Sequence, residues 1–123
     1  TLSAIGLITK VNEILASLDL KDGLLAFKAI NAKKEAVYPI FETYCRNLAI
    51  TILNLQTIFD METFVLGGGI SAQSILIEEV NRQFDKVHHE IDFIGKIIKR
   101  PKIVACHHNG TNLIGAAYFL KQG

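Results

Sequence analysis

Cysteine is scarce in this chain. Cys45 and Cys106 are its two thiols; they lie far apart and form no CxxC pair. A disulfide framework is therefore not expected, and a reducing, cytoplasmic setting is. Long apolar runs are missing too: each stops well short of the roughly 20 residues that span a bilayer, so no membrane partner is expected. The opening TLSAIGLITK, broken by Lys10, does not read as a signal peptide. Nor is there an excess of one charge. Thirteen Lys and Arg face twelve Asp and Glu, a net of +1, which gives no electrostatic case for nucleic acid or an anionic membrane. No repeat, low-complexity tract or Pro/Gly/Ser-rich linker divides the chain, so residues 1–123 read as one domain. An initiator Met is absent as well, and the expectation is a segment of a longer protein.

What is present suits a packed core: 50% of residues are hydrophobic and 20% charged. Leu2, Ile5, Ile8 and Asn12 recur at helical spacing over Thr1 to Leu15, with Ser3 as a possible cap. Asp22 is a plausible N-cap for a short helix over Gly23 to Ile30, its inward face carrying Leu24, Phe27 and Ala26 or Ile30. Val37, Phe41, Tyr44, Leu48, Ile52, Leu55 and Phe59 then mark a long helix from about Lys33 to Phe59. Pro39 should kink it or set its start near Tyr38.

After Asp60, read as a helix-ending residue, the period changes. Thr63 to Leu66 reads as a short buried strand that stops at Gly67-Gly68-Gly69. A second amphipathic helix, about Gln73 to Val87, places Ile75, Leu76, Val80 and Phe84 inward, and a short helix around Phe93 to Ile98 is possible. Pro101 precedes a second buried strand, Lys102 to Cys106, and a final helix is expected from Gly110 or Thr111 to about Leu120. Strand, helix, strand with buried strands implies parallel pairing. Two strands alone make no stable sheet, so more strands or covering elements are required.

The stretch that carries chemistry is Phe64-Val65-Leu66-Gly67-Gly68-Gly69-Ile70-Ser71. Three glycines between a strand and a helix remove every Cβ from the bend, so a ligand can approach the main chain. In an open parallel sheet that bend lies at the ligand crevice, and its N–H groups beside a helix N-terminus suit a phosphate or a ribose-adenine edge. It is neither a Walker A loop nor a GxGxxG fingerprint. A tight turn without a ligand is the alternative, and it stays open on these grounds.

The surrounding residues add specificity. Asn54-Leu55-Gln56-Thr57-Ile58-Phe59-Asp60-Met61-Glu62, followed by the strand and Leu66-Gly67-Gly68-Gly69, resembles the adenosine-side segment of the ROK family (repressors, open reading frames, kinases). Tyr44-Cys45-Arg46-Asn47-Leu48-Ala49 fits it, as does the ending Lys102-Ile103-Val104 with Asn112-Leu113-Ile114-Gly115-Ala116-Ala117. The resemblance implies an α/β fold class: a partial actin-like (ribonuclease-H-like) ATPase lobe, mostly helical with a small parallel sheet, from a two-lobed protein. It implies ATP between the lobes, with Gly67, Gly68, Gly69, Ile70 and Ser71 against the nucleotide, and ATP-dependent phosphorylation of a sugar with Mg²⁺. Members usually dimerise, so a homodimer is expected. The family's D-x-G-G-T loop, its N-D-A-N-type catalytic segment and its Cys-rich zinc motif are absent from this chain. No catalytic residue and no metal ligand is therefore expected here, and the chain alone should be inactive.

Two other readings stand beside the kinase. One is the effector-sensing part of a ROK-type transcriptional regulator, the single case in which nucleic acid becomes an expected partner; the intact Leu66-Gly67-Gly68-Gly69 favours the kinase. The other is an interaction module in which the glycines are purely structural. Cys106-His107-His108 reads as a strand end, since adjacent residues on a strand point to opposite faces and rarely converge on a metal. His88, His89, Glu90 and Asp92 could suggest a metal site or acid/base pair but read better as solvated surface. Lys96, Lys99, Arg100 and Lys102, the densest basic cluster, allow a phosphate or acidic-partner contact but read better as a solvated face before the strand. Cys45 reads as a buried small hydrophobe.

Overall fold

The computed structural model describes residues 4–67, 69–92, 96–106 and 117–120. Helix α1 (Ala4–Ile14) buries Ala4, Leu7, Ile8 and Val11 together with the side chain of Asn12. Asn12 Nδ2 faces the carbonyls of Leu20 and Asp22, at 3.1 and 3.0 Å, and that of Asp19 at 3.4 Å, which pins the turn into α2. Helix α2 (Gly23–Asn31) starts as its sequence dictates: Asp22 is the extended N-cap and its carboxylate accepts from Leu25 N–H at 3.1 Å. Its buried arc is Ala26, Phe27, Ala29 and Ile30. Leu24 does not join them. Both leucines of the first turn, Leu24 and Leu25, stand outside the packed arc and are exposed. Ser3 lies outside the described residues.

Helix α3 (Tyr38–Phe59) starts at Tyr38, not at Lys33, with Pro39 in its first turn, where a missing N–H costs nothing. Phe41, Tyr44, Leu48 and Ile52 face inward, whereas Phe59 at the last turn is about half exposed. The helix ends on Asp60 in the left-handed region (φ 48°), its N–H bonded to Gln56 O at 3.0 Å. Gln56 holds the exit. Its amide donates to the carbonyls of Met61 and Lys99, both at 2.9 Å, and accepts from Met61 N–H at 2.7 Å. No helix among the described residues is long and apolar enough to cross a membrane.

Strand β1 (Thr63–Leu66) is buried along its length, as expected for the centre of a sheet. A short 3-10 helix (Gly69–Ala72) leads into α4 (Ser74–Ile91), which places Ile75, Leu76, Val80, Phe84 and Val87 inward. Strand β2 (Lys102–Ala105) runs parallel to β1, with Thr63 opposite Lys102 and Leu66 opposite Ala105. It is less buried than its sequence suggests: Ile103 is covered while Lys102 and Val104 are exposed, because β2 is an edge strand.

The chain end departs from expectation. Residues Ala117–Leu120 form β3, a strand paired antiparallel to β1, where a helix reaching Leu120 was expected. The sheet is therefore mixed and three-stranded, in the order β2-β1-β3, not purely parallel. The reason is the need of β1, buried on both sides, for a hydrogen-bonding partner on each edge. Tyr118 and Phe119 are residue types at home in strands. The rest of the expected last helix lies outside the described residues, as do Phe93 to Gly95; residues 96–98 form a bend where a short helix was possible.

The core lies between the helices and the sheet. Phe41, Phe64 and Phe84 are fully buried, each contributing about 1.5–3 kcal/mol by transfer from water. Phe27 packs edge-on to Phe41, ring centroids 6.0 Å apart and planes at 83°. The most extensive helix packing is between α3 and α4.

Candidate functional site

Two parallel strands, β1 and β2, end side by side at the tri-glycine bend. Cys106 N–H donates to Leu66 O at 2.9 Å, which carries the pairing to the last residue before the glycines. Gly67 is buried, and Gly68 lies outside the described residues. The chain then turns through the 3-10 helix, closed by Gln73 N–H on Ile70 O at 3.0 Å. Gln73 is the extended N-cap of α4, and its side chain makes no capping bond, so the positive end of α4 carries no capping side chain. Ile70 and Ser71 are buried, each about 6% exposed, so what they present to a ligand is backbone. Two cavities lie elsewhere among the described residues. One, about 310 Å³, runs between α1 and α3 beside Lys10, Tyr44 and Asn47. The other, about 600 Å³, lies at the opposite end of the sheet.

What fixes α4 behind the bend was not expected from the sequence. Glu79, about 5% exposed, accepts from Tyr38 OH (2.8 Å), Arg82 Nε (3.2 Å), Arg82 Nη2 (2.6 Å) and Gln83 Nε2 (2.8 Å). Arg82 continues to Glu42 at 2.9 Å, so α4 is bolted to the first turns of α3. Burial alone would raise the Glu79 carboxyl, but the hydrogen bonds from Arg82, Gln83 and Tyr38 outweigh it and hold it below the usual carboxylate range. Tyr38 is pushed up to about 12 by burial and by its bond to Glu79. Burial, with Glu79 nearby, also raises the Cys45 thiol, which is fully enclosed as expected. Sequence carried one signal of this cluster: Glu79 and Gln83 share the face of α4 that bears Ile75, Leu76 and Val80. Its partner Tyr38 stands 41 residues away, beyond any local spacing.

The His88 to Asp92 segment is a correction. His89 and Glu90 are exposed, but His88 and Asp92 are not solvated surface. Asp92 is buried and accepts from the N–H groups of Ile97 (2.9 Å) and Ile98 (2.7 Å), while His88 Nε2 meets Ile98 O at 2.8 Å. Lys99 and Arg100 pair with Glu62 and Asp85 on the surface. Cys106 is half-buried at the end of β2; His107 and His108 lie outside the described residues. Among the described residues, no three of His, Cys, Asp or Glu are grouped to hold a metal ion.

Residues 2–123 match the family model described as ROK family. The chain belongs to the ROK family. Its members include sugar kinases and transcriptional regulators, so the match supports a function of one of these two kinds. No curated protein and no solved structure gives a significant match.

Proposed function

We propose that this ROK chain is the nucleotide-side lobe of a longer, two-lobed, ATP-dependent sugar kinase. The observation that carries the reading is the run of glycines at the C-terminal ends of a parallel strand pair, which leads through the 3-10 helix to the N-terminus of α4, where no side chain caps the helix. There the main chain can meet a nucleotide without side chains intervening, and backbone N–H groups can face phosphate oxygens. Gly67, Gly68 and Gly69 give close approach, while Ile70 and Ser71 contribute backbone and anchor the bend by burial. ATP supplies the phosphoryl group and Mg²⁺ offsets its charge; the base that takes the sugar hydroxyl proton belongs to the other lobe. No residue of this chain is assigned to Mg²⁺. The homodimer expected of the family belongs to this proposal too.

Gly68→Val and Gly69→Val in the protein carrying this chain should weaken ATP binding by at least tenfold while the thermal transition is kept. Isothermal titration with ATP reads the first and circular dichroism the second. Unchanged affinity in a folded variant refutes the assignment. The second reading, a sugar-responsive regulator, rests on the same family match and is favoured by the buried side chains of Ile70 and Ser71. A D-x-G-G-T loop upstream decides for the kinase, and a DNA-binding helix-turn-helix decides for the regulator.

A further inference from the structure

The cavity of about 600 Å³ lies at the end of the sheet where β1 begins, against the C-terminal turns of α3 and α4 and the irregular segment 96–100. Its volume suits a small molecule. The segment that walls it is irregular but held by buried groups. The Asp92 carboxylate takes the N–H groups of Ile97 and Ile98, the His88 ring donates to Ile98 O, and the Gln56 amide donates to Lys99 O. A carboxylate at 1% exposure and an amide at 2% are expensive groups to bury, and here both fix the frame from which Lys96, Lys99 and Arg100 project.

From this arrangement we infer that the cavity binds a phosphate monoester of sugar-phosphate size. Three basic residues line it: Lys96, Lys99 and Arg100. Lys96 has no ion-pair or hydrogen-bond partner among the described residues. Lys99 pairs with Glu62, which is half exposed, while the Arg100 guanidinium is held by Asp85, Asn81 and the Pro101 carbonyl. A surface pair such as Lys99–Glu62 contributes about 0–1 kcal/mol, so a dianion that meets Lys96 and Lys99 displaces it, and Arg100 adds a fixed positive charge. Lysines serve phosphate as point charges. Asp60 lines the same cavity. Its carboxylate repels a second phosphate and accepts hydroxyls, which selects an ester with a polyol end over free phosphate. The inference stands apart from the nucleotide reading, because none of its residues belongs to the bend.

The test is an amide NMR titration of the chain at fixed ionic strength, with glucose 6-phosphate in one series and inorganic phosphate in another. Saturable shifts confined to residues 96–100 and Asp60 are expected, tighter for the ester, and unchanged in Gly68→Val. Lys96→Ala should weaken the ester by roughly three- to tenfold, and Glu62→Gln, which frees Lys99, should tighten it by a similar factor. Absence of saturation at concentrations on the order of 10 mM, or an equal response in Lys96→Ala, overturns the site. Equal affinity for phosphate and ester overturns the monoester assignment.

Discussion

Glu79→Gln is the substitution whose outcome is most tightly set by geometry. The side chain keeps its volume, loses its charge, and turns an NH₂ toward groups that all donate. Four hydrogen bonds reach the carboxylate, three of them from Tyr38, Gln83 and Arg82 Nη2 at 2.6–2.8 Å. Bonds to a charged acceptor contribute about 1 kcal/mol more than neutral ones, so roughly 3–4 kcal/mol is at stake. A buried neutral amide escapes part of the desolvation cost, and Arg82, still paired with Glu42, loses little. The net expectation is about 2–3 kcal/mol of destabilisation, against about 6–18 kcal/mol for a domain of this length. Urea unfolding followed by circular dichroism should show the midpoint falling by about 1–2 M at unchanged slope. A midpoint that stays put or rises would mean that the buried carboxylate is not a net stabiliser, and the clamp argument would fail.

Acid offers a second check on the same group. The folded carboxyl of Glu79 lies below its ordinary 4.5, so its contribution is complete above the unfolded value and is lost as pH falls through the folded one. The stability gap between wild type and Glu79→Gln should therefore hold steady from neutral pH to about 4.5 and close below it. A gap that widens on acidification contradicts the assigned direction.

Two further outcomes are expected. Asn12→Ala strips the buried amide that faces the carbonyls of Asp19, Leu20 and Asp22; it should cost about 2–3 kcal/mol and raise amide exchange across residues 19–25, whereas protection equal to wild type would deny Asn12 that role. In the native state, Ellman's reagent should modify Cys106, which is half-buried, and spare Cys45, which is fully enclosed and whose thiol is raised by burial. Equal labelling rates would show that the α3–α4 interface opens readily.

Local chemistry explains which parts of the fold were legible in the sequence. Helix periodicity, the Asp22 cap, Pro39 at the start of α3, the helix end at Asp60 and the strand ending on glycines each depend on a few adjacent residues, and each is found where those residues place it. What failed depends on contacts distant in sequence. Leu24 has the spacing of an inward residue, but periodicity does not say where the opposing surface stops. The burial of Asp92 follows from a return of the chain at Ile97 and Ile98, and the Glu79 clamp from the meeting of two helices. Local patterning predicts a helix reaching Leu120, yet the state of residues 117–120 is decided by the vacant edge of β1, a tertiary demand that overrides local preference.

That edge also shows how so small a sheet is made tenable. Lys102 N–H and Cys106 N–H both point to β1, so the alternate residue Ile103 turns its carbonyl outward, where a bare edge invites another strand. Asn81 of α4 reaches that carbonyl at 3.1 Å, and Arg100 Nη2 holds the Asn81 oxygen at 2.9 Å while its guanidinium lies 4.7 Å over the Phe84 ring. That outward carbonyl of β2 is thus capped by a side chain of the same helix that follows the tri-glycine bend. The other side of β1 is closed by backbone, through β3. Helix α4 therefore joins three fixtures: it starts at the bend, it is locked to α3 through Glu79, and it seals the sheet through Asn81. A displacement of α4 would disturb all three together, which ties the position of the glycine bend to packing far from any ligand.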